Sequence, residues 1–266
     1  MKILSIIPAR GGSKGIPKKN ICKLNGKPLL SYSIKNALES KLVNRVIVST
    51  DDDYIAKISK YYGAEVPFSR PKKLARDSSP TIDVIKHVLQ ELNHKEKYIP
   101  DIVTLLQPTT PLRTTASLDK SIRLLIKHKP DTVLGVYELE SHPYRAFWKK
   151  GKYLKPLRKD FLKFYQRQIR PDCYYPSGSI YTFWHKTIKK YGDMYGQKIL
   201  PLILNDKEST DIDDYHDLFI AGSLLKNNKH KSWKFFWLSI IIVFYLLLDV
   251  SFIGKGRILF KKIVFV

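Results

Sequence analysis

Residues 3–20, ILSIIPARGGSKGIPKKN, constrain this chain more than any other stretch: an apolar run passes directly into a glycine-rich turn crowded with cations. Ile3, Leu4, Ile6 and Ile7 form a near-continuous apolar string, the pattern of a parallel strand covered on both faces. Pro8 has no N–H to donate to a ladder, so the strand is expected to end there. Gly11, Gly12 and Gly15 let the backbone turn sharply and approach a ligand without Cβ clashes, and Arg10, Lys14, Lys18 and Lys19 surround the turn with positive charge. Exposed N–H groups together with Arg and Lys suit phosphate oxygens. A glycine pair with lysines also fits a basic surface loop after an edge strand. The stretch is neither GxxxxGK[ST] nor GxGxxG.

The rest of the first 140 residues alternates strands and helices. Pro28 starts an amphipathic helix with Leu30, Ile34 and Leu38 inward, and Arg45–Ser49 is a short buried strand. Thr50-Asp51-Asp52-Asp53 opens a helix lined by Ile55, Ile58 and Tyr62 and stopped at Gly63. Glu65–Phe68 reads as a third strand. Thr81 reads as the N-cap of a helix bearing Ile82, Ile85, Val88, Leu89 and Leu92. Asp101–Leu106 is a continuous apolar strand ending in the loop 107–113, followed by a helix over about 115–128 and a strand at Thr132–Tyr137. This βα alternation predicts an α/β, doubly wound, mostly parallel sheet. Ligands of such sheets bind beyond the carboxyl ends of strands, where the loops at 8–20 and 107–113 both fall.

The string Pro8-Ala9-Arg10-Gly11-Gly12-Ser13-Lys14-Gly15-Ile16-Pro17, then Lys19-Asn20, resembles the N-terminal signature of the acylneuraminate cytidylyltransferases, the CMP-sialic acid synthetase family. The resemblance covers about residues 1–228 and implies a Rossmann-like nucleotidyltransferase domain. The reaction it implies is CTP plus a nine-carbon 2-keto sugar acid, giving a CMP-sugar and pyrophosphate. It assigns the nucleotide to Ala9, Arg10, Gly11, Gly12, Ser13, Lys14, Asn20, Arg70, Ser79 and Thr81, with Arg10 and Lys14 on phosphates and Lys19 stabilising charge at the α-phosphate. It assigns the sugar acid to Gln107, Arg145, Arg167 and Tyr181. The basic, aromatic segment at about 140–175 corresponds to an arm that exchanges with a second subunit, so a homodimer is expected. In the strand after it, the family's usual Arg and Asn are Tyr175 and Ser177 here. Relatives that activate Kdo carry a different loop after the first strand, and the Gly-Gly-Ser-Lys-Gly string fits them less well.

Asp211 and Asp213 stand two apart, so an extended backbone aims both carboxylates the same way; they equally suit N-capping of the following helix. The family carries Asp-Ile-Asp at the corresponding place, which implies Mg²⁺ on this pair. The net charge of +23 favours anionic partners. Nucleic acid is the rival partner, suggested by Tyr and Phe among the cations at 144–175, but no helix-turn-helix, zinc-finger or RRM signature accompanies them. Cys22 and Cys173 form no CxxC and match neither a disulfide scaffold nor a zinc site. Met1-Lys2 leads straight into a strand, so the body is expected in the cytoplasm.

Residues 231–266 depart from the family: Phe235–Leu248 is apolar apart from Ser239, with Trp233 and Trp237 near one end and Lys255, Arg257, Lys261 and Lys262 beyond the other. Those fourteen residues are too few to span a bilayer, and nineteen, counted to Ile253 and including Asp249 and Ser251, nearly suffice. Membrane contact through 233–262 is therefore the expectation, against a helix buried on a partner or an extension without function.

Overall fold

The computed structural model describes residues 1–139, 141–164 and 166–226. The chain divides into Met1–Gly222 and Ser223–Val266; of the second unit only 223–226 are described, and they are helical. The apolar tail over 233–262 lies outside the described residues. Among those described, no helix is long and apolar enough to cross a membrane.

The opening apolar run becomes β1 (Ile3–Pro8), buried on both faces. A small hairpin follows, β2 (Lys23–Leu24) with β3 (Lys27–Pro28), then α1 (Leu29–Leu38), β4 (Arg45–Ser49), α2 (Asp53–Tyr61), α3 (Thr81–Glu96), β5 (Ile102–Leu105), α4 (Thr115–His128) and β6 (Thr132–Glu138). After β6 come β7 (Phe147–Lys150), β8 (Tyr153–Pro156), β9 (Tyr174–Trp184), α5 (His185–Tyr191) and β10 (Ile199–Ile203). The main sheet runs β10-β6-β9-β5-β1-β4. β1 is parallel to β4 and β5, and β10 to β6, whereas β9 lies antiparallel between β5 and β6. The sheet is thus mostly parallel, as expected.

Both faces are covered, which is why the strands read as unbroken apolar runs. Ile3 and Ile7 pack with Leu30, Ile34, Ile55, Ile122 and Leu125 from α1, α2 and α4. The alternate residues Leu4 and Ile6 pack with Ile85, Val88, Leu92 and Ile188 from α3 and α5. Each fully buried side chain of this kind contributes roughly 1.5–3 kcal/mol.

Four local expectations are corrected. Glu65–Phe68 is not a strand: Glu65 makes one isolated parallel bridge to Ile47, and Pro67 offers no N–H to extend it. Leu38 is exposed and Ala37 is buried in its stead, because a four-residue spacing drifts off a 3.6-residue period. Pro28 precedes α1 as its N-cap rather than opening its first turn. Pro80, not Thr81, is the N-cap of α3, which leaves the Thr81 hydroxyl free of capping duty.

Between β6 and β9 the chain leaves the sheet. A short 3-10 turn at Pro143–Arg145 leads into the β7–β8 hairpin, and turns at Phe161–Phe164 and Arg167–Ile169 lead back. The segment holds itself together by rings, Tyr144 on Phe164 at 4.4 Å and Phe147 on Phe161 at 5.6 Å. It leaves Phe147, Trp148, Tyr153 and Leu154 exposed.

Candidate active site

Beyond the carboxyl end of β1 the glycine-rich turn is pinned from below. The Ala9 N–H donates to Ser49 O at 2.9 Å, and the Gly11 N–H to Asp51 Oδ1 at 3.0 Å. Asn20 donates its side-chain amide to Arg10 O at 2.8 Å, closing the turn on itself. Lys18 takes a left-handed backbone (φ 51°) that starts the 3-10 turn Lys19–Ile21 and points Lys19 across the cleft.

Facing it is the segment 205–214. Lys19 Nζ donates to Ile212 O at 2.8 Å and meets Asp213 Oδ1 at 3.2 Å; its side chain is only 13 % exposed. A Cβ on Gly15 would stand 2.4 Å from Asp213 O, so no other residue fits where the two segments cross. The segment is itself anchored. Glu208, buried, accepts from Thr114 N, Thr114 Oγ1 and Ser117 Oγ at the N-terminus of α4, where a carboxylate is favoured. Ile212 N donates to Thr109 O at 2.8 Å.

Between these walls opens a cleft of about 530 Å³. Arg10, Ser13, Lys14, Lys19, Asn20, Arg70, Ser79, Thr81, Gln107 and Asp213 all line it. Ala9 is buried beneath the turn, and Gly11 and Gly12 belong to its backbone. Arg70 is buried, donating from Nε to Ser49 Oγ at 3.1 Å and from Nη2 to Ser49 O. Burial, and Arg10 nearby, pull its guanidinium down to about 10, although Asp51 opposes the fall. A desolvated cation without a bonded carboxylate at a cleft wall suits an anionic ligand.

The neighbours of the acidic pair show which carboxylates cap the next helix. Asp214 Oδ1 accepts from His216 N and Asp217 N, and Asp217 Oδ2 from Asp213 N and Asp214 N, so these two residues cap the helix beginning at 215. Asp213 joins that cap through its backbone N–H alone; the carboxylates of Asp211 and Asp213 take no part in it. Asp211 is exposed beside Gly178 and Gln107, and desolvation and Asp213 raise its carboxyl, although a Thr109 hydrogen bond opposes this. Two hard oxygen donors that repel one another fit a hydrated divalent cation.

Beside Asp211 runs β9. A Cβ on Gly178, at φ +71°, would lie 3.4 Å from Gln107 Oε1 and 3.7 Å from Asp211 Oδ2, so Gln107 and Asp211 share this corner. Ser177 turns inward and donates to Gly135 O at 2.9 Å. Tyr181 does not line the cleft: it is 6 % exposed and packed in the core with Leu134 and Val136, where burial raises its phenol well above the usual range. Arg145 lies on a separate hollow with Ser141, His142 and Arg170. The side chain of Arg167 lies outside the described residues. His142 is a loop residue, its Nε2 on Pro171 O at 2.9 Å.

Besides Arg76 and Thr109 on the cleft wall, the sequence reading misses Asp77 and Arg113. Asp77 projects from 71–79 to pair with Arg10 at 2.7 Å and Lys14 at 2.8 Å. Arg113 is buried, and its Nη2 binds Gln107 O at 2.6 Å and Thr110 O at 3.1 Å, which fixes the loop that carries Gln107 and Thr109. Desolvation lowers Arg113 to about 9. A charged residue closing an otherwise uncharged loop with two prolines is the available signal for Arg113. No local pattern marks Asp77, whose partners are more than sixty residues away.

A strand, a glycine-rich cationic turn and Asp213 across a cleft of about 530 Å³, with Asp211 beside it, have the make-up of a nucleotidyltransferase. The cytidylyltransferase family profile matches residues 4–199, and the chain belongs to that family, as a CTP-dependent enzyme. The chain is 34 % identical over 234 residues to a CMP-N,N'-diacetyllegionaminic acid synthase of Legionella pneumophila, covering 86 % of this chain and 98 % of that protein. It is 33 % identical over 237 residues to a pseudaminic acid cytidylyltransferase of Campylobacter jejuni, covering 87 % and 99 %. An N-acylneuraminate cytidylyltransferase of Escherichia coli O18:K1:H7 is 32 % identical over 240 residues, which are 86 % of this chain and 54 % of that longer protein. Among solved structures, a CMP:2-keto-3-deoxy-manno-octonic acid synthetase complexed with CTP superposes with TM-score 0.64 at 15 % identity, covering 86 % of this chain and all of that one, a likeness of fold.

Proposed function

We propose that this enzyme transfers CMP from CTP to the anomeric hydroxyl of a nine-carbon 2-keto sugar acid, N-acetylneuraminate or a relative such as legionaminate, releasing pyrophosphate for glycan biosynthesis. The observation that carries the reading is Lys19 reaching from the glycine-rich turn to Ile212 O and Asp213: the groups for phosphate and for a cation meet at one point. The sugars named for the relatives at 32–34 % identity support the substrate class.

In-line displacement at the α-phosphorus needs positioning and neutralised oxygens more than it needs a base. Arg10 and Lys14 would hold the departing phosphates, and Lys19 would meet charge growing at the α-phosphate, a contribution of about 3–4 kcal/mol in comparable sites. Asp211 and Asp213 would hold Mg²⁺. When bound, the ion orients the phosphates and offsets charge on the leaving group. Asn20, Arg70, Ser79 and Thr81 would bind the cytidine side, and Gln107, beside Gly178 and Asp211, the sugar acid. The arm at 140–175 would seat on a second subunit and bring Arg145 and Arg167 to the partner's sugar, making a homodimer. CTP as substrate suits a cytoplasmic enzyme.

A pyrophosphate-release assay with CTP and a panel of nonulosonic acids, with Kdo as control, tests the reading. Turnover on a nine-carbon acid and little on Kdo is expected; turnover on Kdo or on none overturns it.

A further inference from the structure

The cations meant for a triphosphate are not free. One carboxylate, Asp77, sits between Arg10 and Lys14 at 2.7 and 2.8 Å, bridging them as a phosphate oxygen would. Its backbone belongs to the opposite wall, in a segment that also carries Ser79 and leads to Thr81. That segment is tied mainly to itself. Leu74 N binds Pro71 O at 2.8 Å, Ser79 N binds Arg76 O at 3.1 Å and Ser79 Oγ binds Lys73 O at 2.9 Å. Among the described residues, hydrogen bonds of 71–79 close within the segment, and the Asp77 pairs are its polar tie to the phosphate turn.

We propose that Asp77 is a specificity-determining residue that acts as a built-in competitor for the polyphosphate: it occupies Arg10 and Lys14 in the empty enzyme, yields them to a triphosphate, and retakes them as pyrophosphate leaves. The proposal rests on the reading of the cleft as a CTP site. Its chemistry is ion exchange. A polyphosphate carries more charge and more acceptor oxygens than a carboxylate and displaces it, while a monophosphate held at the nucleoside end never reaches these cations. Lys14, 83 % exposed on its side chain, can swing between the two partners. Arg76, also on the cleft wall, stays to hold the strap's new position against the bound anion. The cost of displacing Asp77 weakens CTP binding, and the same term lowers the affinity of the product, so the enzyme trades substrate affinity for faster release.

The test compares the full chain with Asp77→Asn and Asp77→Glu, measuring by calorimetry the dissociation constants of inorganic pyrophosphate, CTP and CMP in the presence of Mg²⁺. Asp77→Asn is expected to tighten pyrophosphate and CTP by about 3- to 10-fold, the scale of two surface ion pairs, and to leave CMP within twofold. Asp77→Glu, which keeps the charge, is expected to restore weak binding. In steady state the Asn variant should show stronger product inhibition by pyrophosphate. Unchanged or weaker pyrophosphate binding in Asp77→Asn overturns the proposal, as does equal tightening of CMP. Should pyrophosphate tighten while CTP binds to neither protein, the competitor stands and the nucleotide reading fails. Should CTP turn over normally while pyrophosphate affinity stays put, the reverse holds.

Discussion

The phosphate wall and the arm are built on opposite principles. Around residues 9–20 the turn is braced at several points: Gly11 by Asp51, Arg10 O by Asn20, Lys19 by Ile212 O, and the facing segment by Glu208 on the start of α4. The arm at 143–169 has a hairpin and a few ring contacts, and it turns Trp148, Tyr153 and Leu154 to solvent at 64–67 % exposure. A pocket for charge must be preorganised before its ligand arrives, so it is finished within the chain. The apolar side chains that the arm leaves in water suit the second subunit proposed above.

The sharpest break of this comparison is on the braced side. Lys19→Ala should cut kcat by about 10²–10³-fold, the scale of losing one donor to developing charge, while the melting temperature changes little. Near-normal turnover would remove Lys19 from the mechanism. Next, Asp211→Asn combined with Asp213→Asn should abolish the Mg²⁺ dependence of turnover, read by titrating the ion against each protein. A fully active double variant would leave the pair no role as ligands.

On the arm, Trp148→Glu with Leu154→Glu should convert a dimer to a monomer by sedimentation velocity. CTP affinity should stay within about twofold and sugar turnover should fall about 10²-fold, as expected when a positioning group is lost. A dimer that survives both charges would contradict the role given to the hairpin. The smallest effect tests the sheet edge. Asp131 accepts from the N–H of Lys198 and of Gln197, which hold its carboxyl below the usual range. Its folded value being depressed, the stabilisation is present above the unfolded value near 3.9 and is lost as pH falls through the lower folded one. Asp131→Asn should therefore melt lower than the parent at pH 7, and the gap should close below about pH 4.

What the sequence disclosed follows the same division. Strands buried on both faces announce themselves, so β1, β4, β5 and β6 were legible, as was α4 from Thr115 to His128. The placement of β9 between β5 and β6 was not, because an antiparallel return is decided by pairing and not by its own residues. β10 went unread although Pro201 within it is the mark of an edge strand. Around the cleft, Arg10, Lys19 and Arg70 were legible because local glycines or a family string flagged them. Asp77 and Glu208 act on partners distant in sequence, and only the fold reveals them. Tyr181 shows the opposite error: an aromatic expected at a ligand proves to be core.

The central claim is that one cleft joins the phosphate turn to the acidic pair. A crystal structure of the enzyme soaked with CTP and Mg²⁺ tests it most directly. The triphosphate is expected between Arg10, Lys14 and Lys19, with the ion on Asp211 and Asp213 and the base toward Arg70 and Thr81. A nucleotide bound elsewhere, or an ion shared only by the capping residues Asp214 and Asp217, would contradict it.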